Sequence, residues 1–403
     1  MQTLSLCRQD FPSLHRMYRG RPLVYLDGPG GTQVPQPVID AISQYYQTSN
    51  ANTHGQFITS QETDALMQHV RTEVADFLGA EGPETISFGQ NMTTLCFSLS
   101  QALARTFSPG DEIVITELDH EANRGPWLAL KEQGLVVKEV KITAPGVLDY
   151  DDFRRKVTDK TKVVAVGYAS NLTGTVNDLA TARKLASNVG AYLVIDAVHY
   201  APHFSLDVQR IDCDFLLCSA YKFYGPHVGI LYSKPGLLDQ LPTNRLVTQE
   251  QQSPYLIETG TLNHAAIAGV GAAIRYLASF GHGASLREQL IDAFARISEH
   301  ERAQGQQLYE GLSSLEGVEI KGLDFTSGPR TPTLSFFKEG ITAEEICAQL
   351  GKQSVIGWDG HFYAWKAVKA MGLLDKGGVT RLGVSLYTTE EEIDYTLAML
   401  RTI

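Results

Sequence analysis

Cysteine is scarce in this chain, with 5 among 403 residues, and the spacing of the thiols indicates no disulfide framework. Apolar residues never continue for the roughly 20 positions that a transmembrane helix needs. The first 20 residues, interrupted by Arg8 and Asp10, hold no apolar core typical of a signal peptide. We therefore expect a protein of the reducing cytoplasm, without a membrane partner.

Positive charge is not in excess either. Lys and Arg number 34 against 45 Asp and Glu, which gives a net charge of -11. Nucleic acids and anionic membranes bind basic patches, so neither is expected as a partner. The composition, with 43% hydrophobic and 20% charged residues, is that of an ordinary globular protein. The glycine cluster Gly28-Pro29-Gly30-Gly31 lacks the spacing of a dinucleotide-binding loop and predicts only a turn.

Short apolar runs alternate with helical patterns through the first two thirds of the chain. The predicted strands are Thr85–Phe88, Glu112–Thr116, Val136–Val140, Lys162–Val166, Tyr192–Asp196, Phe215–Cys218 and Gly229–Tyr232. This alternation predicts an α/β fold, with a mostly parallel seven-stranded sheet between helices. We expect a large domain over 23–284, a smaller α+β domain over 285–403, and an N-terminal arm, 1–22, that packs on the small domain.

A lysine and an aspartate come at the ends of two predicted strands. Lys222 follows Phe215–Cys218, and Asp196 ends Tyr192–Asp196. Alone, the lysine could simply extend to water and the aspartate could cap a helix. Together, at the sheet edge where α/β folds bind ligands, they suit pyridoxal phosphate (PLP). The lysine would hold the PLP aldehyde as a Schiff base, and the carboxylate would keep the pyridine nitrogen protonated.

A polar turn follows the first predicted strand and leads into a helix. It reads Gly89-Gln90-Asn91-Met92-Thr93-Thr94, before the apolar-rich run from Leu95 to Leu103. Backbone N–H groups at a helix N-terminus attract anions, so this turn is a candidate phosphate site. The alternative is an ordinary capped helix, because threonine and asparagine cap helices without any phosphate nearby.

The chain resembles the class V aminotransferase family of fold-type I PLP enzymes, in its branch of cysteine desulfurases, selenocysteine lyases and isopenicillin N epimerase-like proteins. The resemblance runs from Tyr25-Leu26-Asp27 to the C-terminal helix. The other matching stretches begin at Asn50, Leu118, Ser170, Asp196, Ser219, Glu258 and Thr380. Because these motifs occur in the family's order and spacing, they are far more specific together than any one alone.

The resemblance implies roles for individual residues. Lys222 would also move the substrate's Cα proton, Asp196 would pair with the pyridinium nitrogen, and His120 would stack on the ring. Implied cofactor ligands are Met92, Thr93, His120, Asn171, Asp196, His199, Ser219, Lys222 and Thr261. Implied substrate ligands are His54, Asn171, Tyr363 and Arg381. Thr261 would reach the phosphate of the other subunit, so a homodimer with shared active sites is expected, and no metal.

One segment departs from the family. Desulfurases carry a nucleophilic cysteine on a mobile loop shortly before the carboxylate-binding arginine, here Arg381. Tyr363, or Phe362 one residue earlier, stands at that place. A phenol with a pKa of about 10 cannot hold a persulfide. Tyr363 could donate a proton to a leaving thiolate or only line the pocket, and Cys347 is expected to be buried on a helix.

Three functions remain open at this point. The first is a PLP-dependent C–S or related carbon–heteroatom lyase that acts on an amino acid without a persulfide cysteine. The second is an aminotransferase or epimerase on the same scaffold. The third is a non-catalytic PLP-binding homologue, against which the presence of Lys222, Asp196 and Arg381 argues, since all three serve chemistry.

Overall fold

A computed structural model describes residues 3–403 and is built around a seven-stranded sheet. Across the sheet, the strands are Ile86–Gly89, Gly229–Ser233, Phe215–Ser219, Tyr192–Asp196, Thr161–Gly167, Glu112–Thr116 and Val136–Val140. Gly229–Ser233 is antiparallel to both of its neighbours, and the other pairings in the sheet are parallel. The predicted fold class is confirmed.

The central strands are buried on both faces, because each face packs against its own layer of helices. In Tyr192–Asp196, Leu193 and Ile195 belong to one hydrophobic core, whereas Val194 belongs to another. Successive side chains of a strand point to opposite faces of the sheet. A strand buried in this way reads as a continuous apolar run, which is the pattern that the sequence shows.

Helices cover the sheet and end largely where sequence signals place them. They are Gln36–Thr48, Ile58–Leu78, Met92–Ala104, Gly125–Leu128, Tyr150–Lys156, Leu179–Val189, Val208–Ile211, His264–Ala278 and Leu286–Ser313. Ile58–Leu78 ends at Gly79, which has a φ of 66° as a left-handed C-cap. Leu286–Ser313 begins with a capping box formed by Ser285 and Glu288. Among residues 3–403, no helix is both long and apolar enough to cross a membrane.

A second, antiparallel sheet contains four strands and is built from the C-terminal part of the chain. Its order is Val318–Lys321, Thr333–Lys338, Val379–Gly383 and Trp358–Gly360. The helices Ala343–Lys352, Trp365–Ala370 and Glu390–Leu400 complete this part.

The N-terminal segment contacts the C-terminal part of the chain. The Arg8 guanidinium lies 2.9 Å from a carboxylate oxygen of Glu392. The short strand Val24–Tyr25 pairs in parallel with Val355–Ile356. The Arg8 contact is of the kind expected for the predicted arm, 1–22, whereas Val24–Tyr25 lies just inside the predicted large domain. The division of the chain at 22/23 and 284/285 remains our proposal.

Candidate active site

A cavity opens at the carboxyl end of the parallel strands. Its lining brings together eight of the predicted site residues, namely Met92, Thr93, His120, Asn171, Asp196, His199, Ser219 and Lys222. Parallel strands deliver the residues that follow them to one edge of the sheet, which explains why segments far apart in sequence meet here.

Lys222 ends a short 3-10 turn, Ala220–Lys222, directly after the strand Phe215–Ser219. Its Nζ donates hydrogen bonds to the backbone oxygens of Pro29 and Gly30. Burial, together with the charge of Arg381, lowers the Lys222 pKa to about 7 against the opposing effect of Asp27 and Asp196. A substantial fraction of this amine is therefore neutral at pH 7 and carries a free lone pair.

Asp196 presents a buried carboxylate to the same cavity, with 7% of the residue exposed. One of its oxygens accepts a hydrogen bond from the Val198 amide at 2.9 Å. Burial raises its pKa to about 6, although that hydrogen bond and Lys222 act in the opposite direction. In the described part of the chain, no side-chain cation lies within ion-pair distance of Asp196. A buried anion without a cationic partner suits the protonated nitrogen of a pyridine ring.

His120 is held in one tautomer by the backbone. Its Nδ1 accepts a hydrogen bond from the Ala122 amide at 3.0 Å, so the proton of the neutral ring is on Nε2. Burial lowers the His120 pKa to about 3, with smaller contributions from Lys222 and Arg381. The ring is thus neutral at physiological pH. The Tyr363 ring lies 5.3 Å from it, centroid to centroid.

The N-terminus of the helix Met92–Ala104 lies at the cavity wall. Asn91 caps it by accepting a hydrogen bond from the Thr94 amide at 2.9 Å. The Met92 amide donates to Ser219 Oγ at 2.9 Å, so this hydroxyl from the neighbouring strand end lies beside the helix terminus. Thr93 also lines the cavity and is exposed. The positive end of the helix dipole, the backbone amides and the hydroxyl groups lie close together here. Such an arrangement suits a phosphate group.

His199 contacts two threonines that the sequence analysis did not find. Its Nε2 lies 3.1 Å from Thr331 Oγ1 and 3.0 Å from Thr333 Oγ1. Burial keeps the His199 pKa well below its usual range, so the ring is neutral. The two threonines belong to a segment more than 130 positions away, and no pattern in the sequence links them to His199.

Arg381 is buried, with 2% of the residue exposed. Its Nη2 lies 2.9 Å from Asp27 Oδ1, and its Nη1 donates to the backbone oxygen of Asn171 at 3.1 Å. Asp27 was not among the predicted site residues, although it belongs to the matching stretch Tyr25-Leu26-Asp27. Arg381 itself is not among the described residues that line the cavity.

His54 and Thr261 lie elsewhere, in a second cavity that they share with His264. His54 Nδ1 is 3.6 Å from an oxygen of Asp64, and His54 Nε2 is 3.7 Å from an oxygen of Glu250. Within one chain, these two predicted site residues are therefore not brought to the cavity of Lys222.

The cysteines do not contribute to the first cavity. Cys7, Cys96, Cys213 and Cys218 are fully buried, and Cys347 is partly buried on the helix Ala343–Lys352. Burial raises the pKa of both Cys7 and Cys347 to about 12. Between residues 3 and 403, no group of acidic, histidine and cysteine side chains could hold a metal ion.

The sheet topology, the cavity and its lysine and aspartate define the class: a fold-type I PLP enzyme. The model of the class-V aminotransferase family matches residues 24–396, and the chain belongs to this family of PLP-dependent enzymes.

Individual relatives agree over almost the whole length. The chain is 30% identical to a probable cysteine desulfurase of Vibrio cholerae, over 99% of this chain and 98% of the relative. It is 32% identical to a cysteine desulfurase of Yersinia pseudotuberculosis, over 98% of this chain and 97% of that relative. The structure of a cysteine desulfurase from Thermococcus onnurineus has a TM-score of 0.89, with 28% identity, and the match covers 100% of this chain and 98% of that one.

Proposed function

We propose that this protein is a PLP-dependent lyase that breaks a C–S or related carbon–heteroatom bond of an amino acid without forming a persulfide on the enzyme. The similarity to cysteine desulfurases supports the substrate class. What supports the proposal is the segment Phe362-Tyr363, whose tyrosine packs against His120 and which holds aromatic residues where the resemblance to desulfurases implies a reactive cysteine.

Lys222 is the residue that would hold PLP and move a proton at the substrate's Cα. Its pKa of about 7 supports this role, because a neutral amine can accept a proton at physiological pH. Bound PLP supplies an electron sink that stabilises the charge left when a bond to Cα breaks. Asp196 would support that sink by keeping the pyridine nitrogen protonated.

The remaining ligands divide between the cofactor and the substrate. Ser219, Thr93 and the helix N-terminus at Met92 would bind the phosphate, and His120 would cover one ring face. His199 would lie beside the cofactor, held by its two threonine neighbours. Arg381 and Asn171 would bind the substrate carboxylate, since a guanidinium matches a carboxylate in charge and shape.

Tyr363 would line the mouth of the cavity. The residue is 64% exposed, and its ring lies against His120. A proton donor to a leaving thiolate is the second possibility for this phenol. Tyr363→Phe separates the two, because a lining role predicts a change of at most about twofold in kcat, whereas loss of a general acid typically costs about 100-fold or more.

A homodimer would complete the site. Thr261 and His54 lie in the second cavity, next to Leu246, which is 58% exposed, and close in sequence to Val247, which is 96% exposed. Large exposed apolar side chains around a polar cavity support burial against a second copy. Mixing inactive Lys222→Ala with inactive Thr261→Val subunits should restore part of the activity if each site takes Lys222 from one chain and Thr261 from the other.

A screen of amino acids, with sulfur-containing ones included, tests the reaction itself. The purified protein with PLP should release sulfide or a thiol, together with a keto acid and ammonia, and Lys222→Ala should abolish this release. Pyridoxamine phosphate as the product would identify an aminotransferase, and the other enantiomer would identify an epimerase. A protein that binds no PLP, with no visible absorbance that borohydride removes, would refute every form of the proposal.

A further inference from the structure

A second carboxylate, that of Asp119, lines the cavity together with Asp196. Only 4% of Asp119 is exposed, and it is not among the predicted site residues. Its Oδ1 accepts a hydrogen bond from the Gly167 amide at 2.9 Å, and its Oδ2 accepts one from Asn123 Nδ2 at 3.1 Å. Both oxygens of this buried side chain are therefore held in place by donors that carry no charge.

Gly167 places the Asp119 carboxylate beside Asp196. Gly167 and Asp196 are paired positions of neighbouring parallel strands, so their side chains would leave the sheet on the same face. Gly167 has no side chain, and Asp119 Oδ1 lies only 2.8 Å from the point that a Cβ there would occupy. Asp119 thus takes the place of a side chain on the strand next to Asp196, and neighbouring strands are about 4.8 Å apart.

The two carboxylates make one wall of the cavity anionic. Burial, together with the charge of Asp196, raises the Asp119 pKa to about 7 against the opposing effect of a backbone hydrogen bond and of Arg124. The Arg124 guanidinium pairs with other carboxylates, at 2.8 Å from Glu121 and 2.7 Å from Glu139. In the described part of the chain, neither Asp119 nor Asp196 forms an ion pair of its own. Two buried anions side by side repel each other, and a cationic ligand relieves that repulsion.

We propose that Asp119 is a second anionic residue of the cofactor site, which acts with Asp196 to favour a positively charged ring nitrogen. This inference rests on the proposed function, in which Asp196 keeps the pyridine nitrogen of PLP protonated. Asp196 would pair with that nitrogen, and Asp119 would stabilise the same charge through space. A unit charge a few Å away in a poorly solvated cavity changes the affinity for a cation by about tenfold or more.

The deaza analogue of PLP, which has carbon in place of the ring nitrogen, tests this role. The analogue keeps the aldehyde and the phosphate, but its ring cannot take up a proton. Equilibrium affinities of the cofactor-free protein for both compounds are measured at pH 8, above the Asp119 pKa of about 7. The ratio of the affinity for PLP to that for the analogue should fall about tenfold in Asp119→Asn, which keeps the shape of the side chain but removes its charge.

Asn123→Ala is the matched control, because it removes a hydrogen bond from Asp119 but leaves the carboxylate. In this variant the affinity ratio should stay within about twofold of wild type. Asp119→Ser, a smaller neutral side chain, should lower the ratio as Asp119→Asn does, and it replaces that variant if asparagine prevents folding. Circular dichroism shows whether each variant is folded.

Three results would overturn the inference. An unchanged ratio in Asp119→Asn, combined with a lower ratio in Asp196→Asn, would refute the role of Asp119 and leave the proposed function intact. Equal falls in Asp119→Asn and Asn123→Ala would assign the effect to the hydrogen bond rather than to the charge. A ratio that Asp196→Asn leaves unchanged would refute the pairing of Asp196 with the ring nitrogen, and with it both proposals about this wall of the cavity.

Discussion

Asp27 and Arg381 form a buried ion pair across 354 positions of sequence, with 2.9 Å between Oδ1 and Nη2. Asp27 also begins a turn. In this turn, the backbone oxygens of Pro29 and Gly30 accept hydrogen bonds from the amine of Lys222. A side chain at Gly30 would clash with the Asp27 carboxylate, so glycine is needed there. The pair therefore fixes one turn relative to both the predicted carboxylate-binding residue and the predicted PLP-binding lysine.

Asp27→Asn should destabilise the protein, because it leaves the Arg381 charge buried without its counter-charge. Removal of one partner from a buried ion pair typically costs about 3–5 kcal/mol. We expect the free energy of unfolding in urea to fall by roughly this amount. Asp151→Asn is the matched control, since Asp151 pairs with Arg154 at the surface with 80% of its side chain exposed. Equal losses of unfolding free energy in both variants would show that the buried Asp27–Arg381 pair stabilises the protein no more than a surface pair does.

Recombination of the cofactor-free protein with PLP should depend on the protonation of Lys222. The amine must be neutral to react with the aldehyde, and its pKa is lowered to about 7. The rate at which visible absorbance appears should therefore rise about tenfold per pH unit below pH 7 and level off above it. An ordinary lysine would instead give a rate that still rises between pH 8 and pH 10, and that profile would contradict the predicted environment of Lys222.

The sequence predicts those parts of the molecule that rest on local pattern. The strands Glu112–Thr116 and Tyr192–Asp196 have the predicted limits, because a buried strand is a bounded apolar run. The edge strand Val136–Val140 also has its predicted limits, although only Val140 in it is fully buried. The helix Met92–Ala104 starts three residues before the predicted apolar run at Leu95, since its first turn is polar.

Contacts between distant segments could not be predicted in the same way. Asp27 meets Arg381, and Thr331 meets His199, only after the chain has folded, and neither contact leaves a periodic signal in the sequence. The glycine cluster that begins at Gly28 predicted only a turn, and nothing in it could indicate that a lysine amine approaches its carbonyls.

Asp196→Asn should impair catalysis more than stability. The substitution keeps the shape of the side chain but removes the negative charge that would hold the pyridine nitrogen protonated. We expect kcat to fall by roughly 100-fold or more, as for the loss of other preorganised electrostatic groups. Asp212→Asn provides the control, because Asp212 is 55% exposed in its side chain and has a φ of 55°, which asparagine adopts readily. A similar loss of kcat in both variants would remove Asp196 from the proposed mechanism.

Alkylation of the native protein should leave its activity intact if no cysteine takes part in the reaction. Burial raises the pKa of Cys7 and Cys347 to about 12, so at pH 8 roughly one thiol in 10,000 is the reactive thiolate. Iodoacetamide should therefore label the folded protein slowly, as measured by intact mass, whereas all 5 cysteines should react in urea. Cys347→Ala, which removes the one thiol that is not fully buried, should keep wild-type kcat. Loss of activity in step with the labelling of a single thiol would instead support a cysteine-based mechanism and contradict the lyase without a persulfide.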